Sequence, residues 1–600
     1  MRPELEFRTS LFSQTNKLSL AQVEKIMVSY QQLFLILLTC ITITPLAVFA
    51  QSTPPWGVII PPDTPGKVEE TIPQLSPLPT LPPTPPTPTA PILPSLPQEN
   101  LPDTAFPSGE SFFVKEIQVQ GYSVLKDEII KLKQPLENKN ITFEQLLQLR
   151  SQITKLYVDN GYITSGAFIP NHQDIANGIV QIQVIEGELE GITILGLERL
   201  QPGYVRSRIK RLAGKPLNQK RLEQALQLLQ IDPVIERVNA ELTAGSTPGS
   251  NILQVKITES PGFHAGITFA NNQSPSVGSE QGSVFIAHDN FLGFGDKFSA
   301  EYAFTEGLDN YNVGYSFPFN ALDGTIGVRY SNSGSRIIEP TFRDLDIRSA
   351  AETLSFNLRQ PLIHTPNNEF ALGLAFDLRK SQTFILNDIP FSFTPGPEDG
   401  KSKVTVIRFS QDWLQRNTNS VLAARSQFSF GIDAIDATVN DSGTDGRFFA
   451  WVGQFQWVQR LSSRILMLSK VNTQLTPNSL LSLEKISLGG VDTVRGYRQN
   501  QLVADNGVVG GVEIRIPLTS SVETLQLIPF FDMGTAWNNG GISADPQTIA
   551  SMGLGVNWQP FSGLVLRADY GIPFIGTSDS DRGTSLQDNG FNFSVRYQPF

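Results

Sequence analysis

From Pro261 to Phe600 the chain alternates apolar and polar residues in short runs almost without a break. Successive side chains of a strand point to opposite faces, so this pattern sorts residues onto two surfaces. In Phe370-Ala-Leu-Gly-Leu-Ala-Phe-Asp-Leu-Arg379, one face holds Phe370, Leu372, Leu374, Phe376 and Leu378, and the other Ala371, Gly373, Ala375, Asp377 and Arg379. Leu354, Phe356 and Leu358 oppose Ser355, Asn357 and Arg359 in the same way, and Phe449, Trp451, Phe455 and Trp457 oppose Gln454 and Gln456. An apolar face backed by a charged one fits lipid outside and water inside a barrel. A soluble sandwich alternates too, so the connections must decide.

The connections alternate in length. Gly293-Phe-Gly-Asp296, Asn320-Ala-Leu-Asp-Gly324, Leu461-Ser-Ser-Arg464 and Pro560-Phe-Ser-Gly563 are tight, whereas 332–349, 381–401, 433–445 and 476–507 are long. Short turns at one rim and long loops at the other, joining about sixteen strands, are the arrangement of a transmembrane antiparallel β-barrel. The joint near Glu306 is the exception, short where a long loop is expected.

The amino-terminal part has a different texture. The apolar run 33–50 follows Arg8, Lys17 and Lys25 and ends in Val48-Phe49-Ala50, so residues 1–50 read as a secretory signal peptide. Pro45 and the absence of a basic flank after the run weigh against a membrane anchor, and Thr39 weighs against lipidation of Cys40. Cys40 is the single cysteine, which excludes an internal disulfide framework. No other helical span exists, so membrane insertion must use strands. Residues 51–110 are proline-rich, as in Pro77-Leu-Pro-Thr-Leu-Pro-Pro-Thr-Pro-Pro86. Proline fixes φ and removes donors, so this tract reads as an extended linker rather than a core; a ligand for a proline-reading domain is the alternative.

Two small α+β units follow, at 111–187 and 188–260. In the first, 113–121 alternates as a strand, Lys126–Lys133 and 142–160 are helical, and 162–169 and Ile179–Ile185 read as strands. Leu146, Leu149, Ile153 and Leu156 share a helical face, and Thr142 with Gln145 forms a capping box. The order β-α-α-β-β recurs as strand 190–195, helices 202–212 and 218–231, and strands 234–242 and 251–258, a tandem repeat.

Leu156-Tyr-Val-Asp-Asn-Gly-Tyr-Ile-Thr-Ser-Gly-Ala-Phe-Ile-Pro170, followed by Gly178-Ile-Val-Gln-Ile-Gln-Val-Ile-Glu-Gly187, resembles the POTRA domain of haemolysin secretion/activation proteins, the transporter components of two-partner secretion. The second unit resembles a POTRA domain less distinctively. The resemblance runs from about Phe112 to Phe600. It implies an outer-membrane transporter with periplasmic POTRA domains that captures an unfolded exoprotein of haemolysin or adhesin type and translocates it. Family members often carry a plug helix before the first repeat, and no convincing one is found here. The alternative is the related insertase family, which assembles other barrels and usually has more repeats. A passive porin would leave the repeats unexplained.

Ser487-Leu-Gly-Gly-Val-Asp-Thr-Val-Arg-Gly-Tyr-Arg498 lies in the longest well-marked connection after the eleventh strand. Its Val494-Arg-Gly-Tyr497 matches the motif on the sixth extracellular loop of these transporters. The resemblance implies that the loop folds into the lumen, where Arg495 pairs with an aspartate on an inward-facing strand. The matching segment is Pro529-Phe-Phe-Asp-Met-Gly-Thr-Ala-Trp537. Parity agrees: Phe531, Met533 and Trp537 share the apolar face, which points Asp532 inward. Arg495, Gly496, Tyr497 and Asp532 are therefore the expected lumen lock, Gly496 permitting a tight turn. Val491, Asp492 and Arg498 are further candidates that the sequence does not rank. At the C-terminus, Phe591, Phe593, Val595 and Tyr597 share a face ahead of Phe600, which resembles the signal by which outer-membrane barrels meet their assembly machinery.

Chemistry is not indicated. His172, His264, His288 and His364 stand at no metal-ligand spacing, and neither a G-x-S-x-G elbow nor a phosphate loop is present. Gly553-Leu-Gly555 sits inside a strand pattern and reads as a barrel glycine pair. A non-enzyme without metal or cofactor is expected. The net charge of −11 removes the electrostatic footprint for nucleic acid.

Overall fold

The computed structural model describes residues 111–599 except 172, 174–176, 442, 523, 541–542 and 578–584. The expected signal peptide, proline-rich linker and plug-helix question, together with Cys40, His172 and Phe600, lie outside the described residues.

In the first repeat, helix Phe143–Asp159 starts where Thr142 accepts the Gln145 amide (3.3 Å) and the Gln145 side chain accepts the Thr142 amide (2.9 Å). Those two bonds satisfy donors that the first helical turn leaves orphaned. Leu146, Leu149, Ile153 and Tyr157 form its buried stripe, with Leu156 only partly covered. The stripe packs with strands Glu116–Gln120 and Ile179–Ile185 around one core. Three sequence expectations need correction here. The strand expected at 113–121 is two, Ser111–Val114 and Glu116–Gln120, which pair with different partners. The partner of the former, Lys139–Thr142, was not anticipated, because its side chains show no alternation. The strand expected at 162–169 shrinks to Gly166–Phe168. Gly161, at φ +88°, ends the helix, and the Tyr162 amide bonds back to the Tyr157 carbonyl, so the chain is still turning there.

The second repeat repeats the topology with strand Glu188–Leu195, helices Pro202–Ala213 and Gln219–Gln230, and strands Ile235–Ala244 and Ser250–Glu259. In both sheets the last strand is central, parallel to the first and antiparallel to the one before it. The repeats are stitched together by backbone bonds from Leu217 to Gly187 (2.6 Å) and from Gln219 to Gly161 (2.8 Å). The Asn218 amide adds a third, to the Asn160 carbonyl (3.0 Å).

Strand Phe263–Ala270 opens a closed antiparallel ring, and Phe591–Tyr597 completes it by pairing with that first strand. The ring holds seventeen hydrogen-bonded segments. One is the two-residue Ile389–Pro390 riding on the end of Asn368–Ile385, so sixteen strands go round. The expected fold class, α+β POTRA repeats followed by a sixteen-stranded barrel, is what the chain adopts. Turns on the side of the repeats are short (290–296, 319–324, 365–367, 417–419, 461–465, 518–524, 562–563). Most far-rim connections are longer, with 476–505 the longest. The short far joint 305–307 closes on itself through Thr305 to Leu308 (2.8 Å) and is tied by Gly307 to Val277 of the preceding far loop (2.9 Å).

The faces separate as alternation requires. Phe531 and Met533 point outward, 45% and 48% exposed, while Asp532 between them is fully buried. Leu374, Phe356, Phe430, Val471, Met552, Leu554 and Ile572 continue the exposed apolar belt. A water-soluble barrel would put its apolar face inside; this one has it outside. The second repeat is fastened to the near rim. The Gln201 amide bonds the Gly293 carbonyl (2.7 Å), and Arg208, stacked on the Tyr204 ring, pairs through Nε with Asp323 (3.0 Å).

Candidate functional site in the barrel lumen

Residues 476–505 do not stand above the rim; they fill the lumen. A short arm carries Leu480, Leu481, Leu483 and Glu484, and a hairpin of Ile486–Leu488 paired with Leu502–Ala504 presents residues 489–501 at its tip. The lumen wall changes character to receive them. Val404, Val406 and Ala450 lie against the arm, and Val509, Ala536 and Ile549 lie against the hairpin with Val494 and Tyr497. Burying these apolar surfaces against each other favours the inserted loop.

Arg495, 2% exposed, reaches strand Leu525–Trp537 and grips Asp532 in a fork: Nε donates to Oδ2 (2.7 Å) and Nη2 to Oδ1 (3.0 Å). The Arg495 amide also donates to Oδ2 (3.2 Å). Parallel N–H bonds to both carboxylate oxygens fix the side chain in angle as well as distance. Two acids not anticipated from sequence join it: Glu513 accepts from Nη1 (3.0 Å), as does Asp569 at 3.4 Å. Arg515 and Arg567 lie on these acids, so three carboxylates face three guanidiniums. The Arg495 guanidinium also lies over the Phe530 ring, 3.6 Å from its centroid. Asp532 and Asp569 each sit opposite a glycine of a neighbouring strand, Gly511 and Gly555, where a Cβ would come within 2.3 and 2.4 Å of the carboxylate. That is the work of one member of the glycine pair at 553 and 555.

Gly496 has φ +88°, and a Cβ there would meet the Gly571 backbone at 2.8 Å. Gly571 is equally constrained, its Cβ position lying 2.7 Å from Gly496. The loop tip and strand Leu564–Pro573 thus cross backbone on backbone, which needs glycine on both sides. The Tyr497 hydroxyl lies 2.9 Å from the carbonyls of both Ala550 and Ile575; with one proton it donates to one at a time. Arg498 turns to the far loops, pairing with Glu339 (3.2 Å) and Asp588. Asp492 offers its carbonyl to Lys470 (2.7 Å). The sequence thus located the loop, the arginine and one acid. It missed Glu513, Asp569 and Gly571, which stand on two strands with no local motif, and Phe530, an uncharged neighbour of Asp532 on the same strand.

Phe591–Tyr597 carries three of the expected terminal residues on the outer face: Phe593 lies beside Phe269 across the seam (centroids 5.5 Å, rings tilted by 49°), Val595 pairs in register with Phe269, and Tyr597 is exposed. His264 pairs with Asp289, and His364 lies between Asp323 and Glu369. Among the described residues no group of His, Cys, Asp and Glu is arranged to hold a metal.

The sequence profile of the haemolysin secretion/activation protein ShlB/FhaC/HecB matches residues 249–558, and that of the ShlB-type POTRA domain matches 112–187. The outer membrane transporter CdiB of Dickeya dadantii (strain 3937) is 25% identical over 433 residues, which span 69% of this chain and 74% of that relative. The heme/hemopexin transporter protein HuxB of Haemophilus influenzae (strain ATCC 51907 / DSM 11121 / KW20 / Rd) is 23% identical over 457 residues, 72% of this chain and 78% of the relative. The solved structure of CdiB from Escherichia coli superposes with a TM-score of 0.63 at 20% identity, covering 85% of this chain and 94% of that one, which speaks to the fold alone.

Proposed function

The chain belongs to the haemolysin secretion/activation protein (ShlB/FhaC/HecB) family, and from that premise we propose that it captures one unfolded exoprotein, of haemolysin or adhesin type, in the periplasm and threads it through the barrel. It is an outer-membrane β-barrel transporter with periplasmic POTRA domains, working in two-partner secretion and hence with a secreted partner. The observation that carries the finer reading is the loop 476–505 seated in the lumen of a sixteen-stranded ring, with Arg495, Gly496, Tyr497 and Asp532 as its lock. A pore permanently open to a chain would leak; one closed by a loop on breakable charged contacts opens for its client.

Capture has a physical route. Strand Glu188–Leu195 is an edge of the second repeat's sheet, whereas on the other edges Ile117, Ala167 and Val238 spend their amides on Glu137, Thr154 and Gln230. An edge strand of this kind can add a strand of an unfolded client. No nucleotide motif supplies energy, so folding of the client outside gives the direction. Bilayer lipid contacts the outer belt, and Phe593, Val595, Tyr597 and Phe600 serve the barrel assembly machinery during biogenesis. The ShlB-type match of the first repeat and the presence of two repeats favour export over barrel insertion. Depletion separates them: loss of one or a few secreted proteins is expected, whereas general loss of outer-membrane barrels would establish the insertase instead.

A further inference from the structure

The Arg495 cluster lies on the twelfth, thirteenth and fifteenth barrel strands, Asn506–Pro517, Leu525–Trp537 and Leu564–Pro573. The arm of the same loop makes a second charged contact on a different wall, the seventh and eighth strands, Asn368–Ile385 and Lys401–Arg416. There Glu484, 4% exposed, accepts from Arg379 Nη1 (2.8 Å) and takes Arg408 Nη2 on both carboxylate oxygens (2.9 and 3.0 Å). Arg379 Nη1 also bonds the neighbouring Leu483 carbonyl (2.6 Å), and Arg408 is itself oriented by Asp377 (2.5 Å) and Ser429 (2.9 Å). The contact is neutral as built, with two guanidiniums facing two carboxylates. Withdrawing Glu484 would take its carboxylate from both guanidiniums at once. A buried charge that loses its partner is costly, so the wall resists release of the arm.

Resting on the reading that the loop must leave the lumen for transport, we infer that Glu484 is a second, independent fastening of this loop, held by Arg379 and Arg408. The pore clears only when both fastenings let go. One feature makes them separable. Each has its own apolar seat: Leu480, Leu481 and Leu483 on Val404, Val406, Phe448 and Ala450, and the hairpin on Val509, Ala536 and Ile549. The two seats share no residue. Release of the hairpin alone would therefore leave the arm in place and the lumen partly filled.

The test uses full-length protein, purified without client, in a Cys40→Ser background. Reporter cysteines are placed under each part of the loop, Ala536→Cys beneath the hairpin and Val406→Cys beneath the arm, and labelled with a water-soluble maleimide. Arg495→Ala should speed labelling at 536 by on the order of tenfold or more and leave 406 protected; Glu484→Ala should do the reverse. The double variant should expose both sites and raise single-channel conductance above either single variant. Exposure of 406 by Arg495→Ala alone, or protection of 406 in Glu484→Ala, overturns the inference. Should Glu484→Ala fail to give a heat-modifiable folded barrel, Arg379→Gln removes a wall partner instead and carries the same expectation at 406. Export is measured separately. Two independent fastenings with no exported client would refute the transport reading while leaving this one intact.

Discussion

Arg495 takes part in a cluster whose charges balance, so its removal does more than delete one contact. Arg495→Ala leaves Asp532 buried beside a void that its fork filled; losing one partner of a buried ion pair costs about 3–5 kcal/mol. The variant is expected to insert as a barrel, with reduced export and higher bilayer conductance; unchanged export at matched protein level would remove the lock role. Gly571→Ala is a sharper probe, since it alters no charge. Its Cβ would lie 2.7 Å from the Gly496 backbone, which cannot yield as a flexible side chain could. The tip must lift, so conductance should rise with all ion-pair residues in place. Only part of this was legible beforehand. The arginine and Asp532 lie in compact segments whose residue types and parity speak for themselves. Glu513 and Asp569 are single acids on a lumen face where charged residues are ordinary, and Glu484 is a single acid within a long loop. One signal was available: Val404, Val406, Ala450, Val509 and Ala536 stand where the inward face should be polar, and such a breach asks for something apolar to cover it.

Helices and their caps were the most readable elements, because each boundary is set by residues a few positions apart. The Thr142 cap and the buried stripe of Phe143–Asp159 follow directly from spacing. The ribbon Ser111–Val114 with Lys139–Thr142 did not, since pairing across so long a separation leaves no local pattern. Glu186 shows how the first repeat holds its own loop. It accepts the amides of Ser123 (2.7 Å) and Val124 (3.2 Å), the Ser123 hydroxyl and the Tyr157 hydroxyl (2.8 Å). Burial pushes its carboxyl up, but these bonds outweigh that and hold it below the usual glutamate range. The unfolded chain therefore binds this proton more readily than the folded one. The stabilisation is complete above the ordinary glutamate pKa and is lost as pH falls through the depressed folded value. Amide exchange across 121–125 should accelerate on that descent; Glu186→Gln should accelerate it already at neutral pH and flatten the acid response. A wild-type profile in the variant would remove Glu186 as the cause.

On the scale of the molecule, the second repeat meets the near rim through the Arg208–Asp323 ion pair, through Arg199 on His288 and the Phe291 carbonyl, and through the Gln201 amide. Hydrogen bonds to charged groups contribute about 1.5–3 kcal/mol. Arg208→Glu should free the second repeat from the rim, read as a broadened distance distribution between spin labels on helix Gln219–Gln230 and strand Thr325–Arg336. The exchange Arg208→Glu with Asp323→Arg should narrow it again; failure of the exchange to do so would assign the junction to Arg199 and the Gln201–Gly293 backbone bond. The barrel itself was legible in strand number and rim polarity because alternation and connection length are summed over many residues. Ring closure adds something no single strand carries. The first and last strands share only four residue pairs, Ser594 to Tyr597 against Ala270 to Ile267, yet those pairs are what turn a sheet into a tube. A chain stopped before Phe591 would present two rows of bare amides and carbonyls to hydrocarbon, each group unable to find water. Partial cylinders are thus not weaker versions of the whole; insertion is all or none, and it waits on strand Phe591–Tyr597.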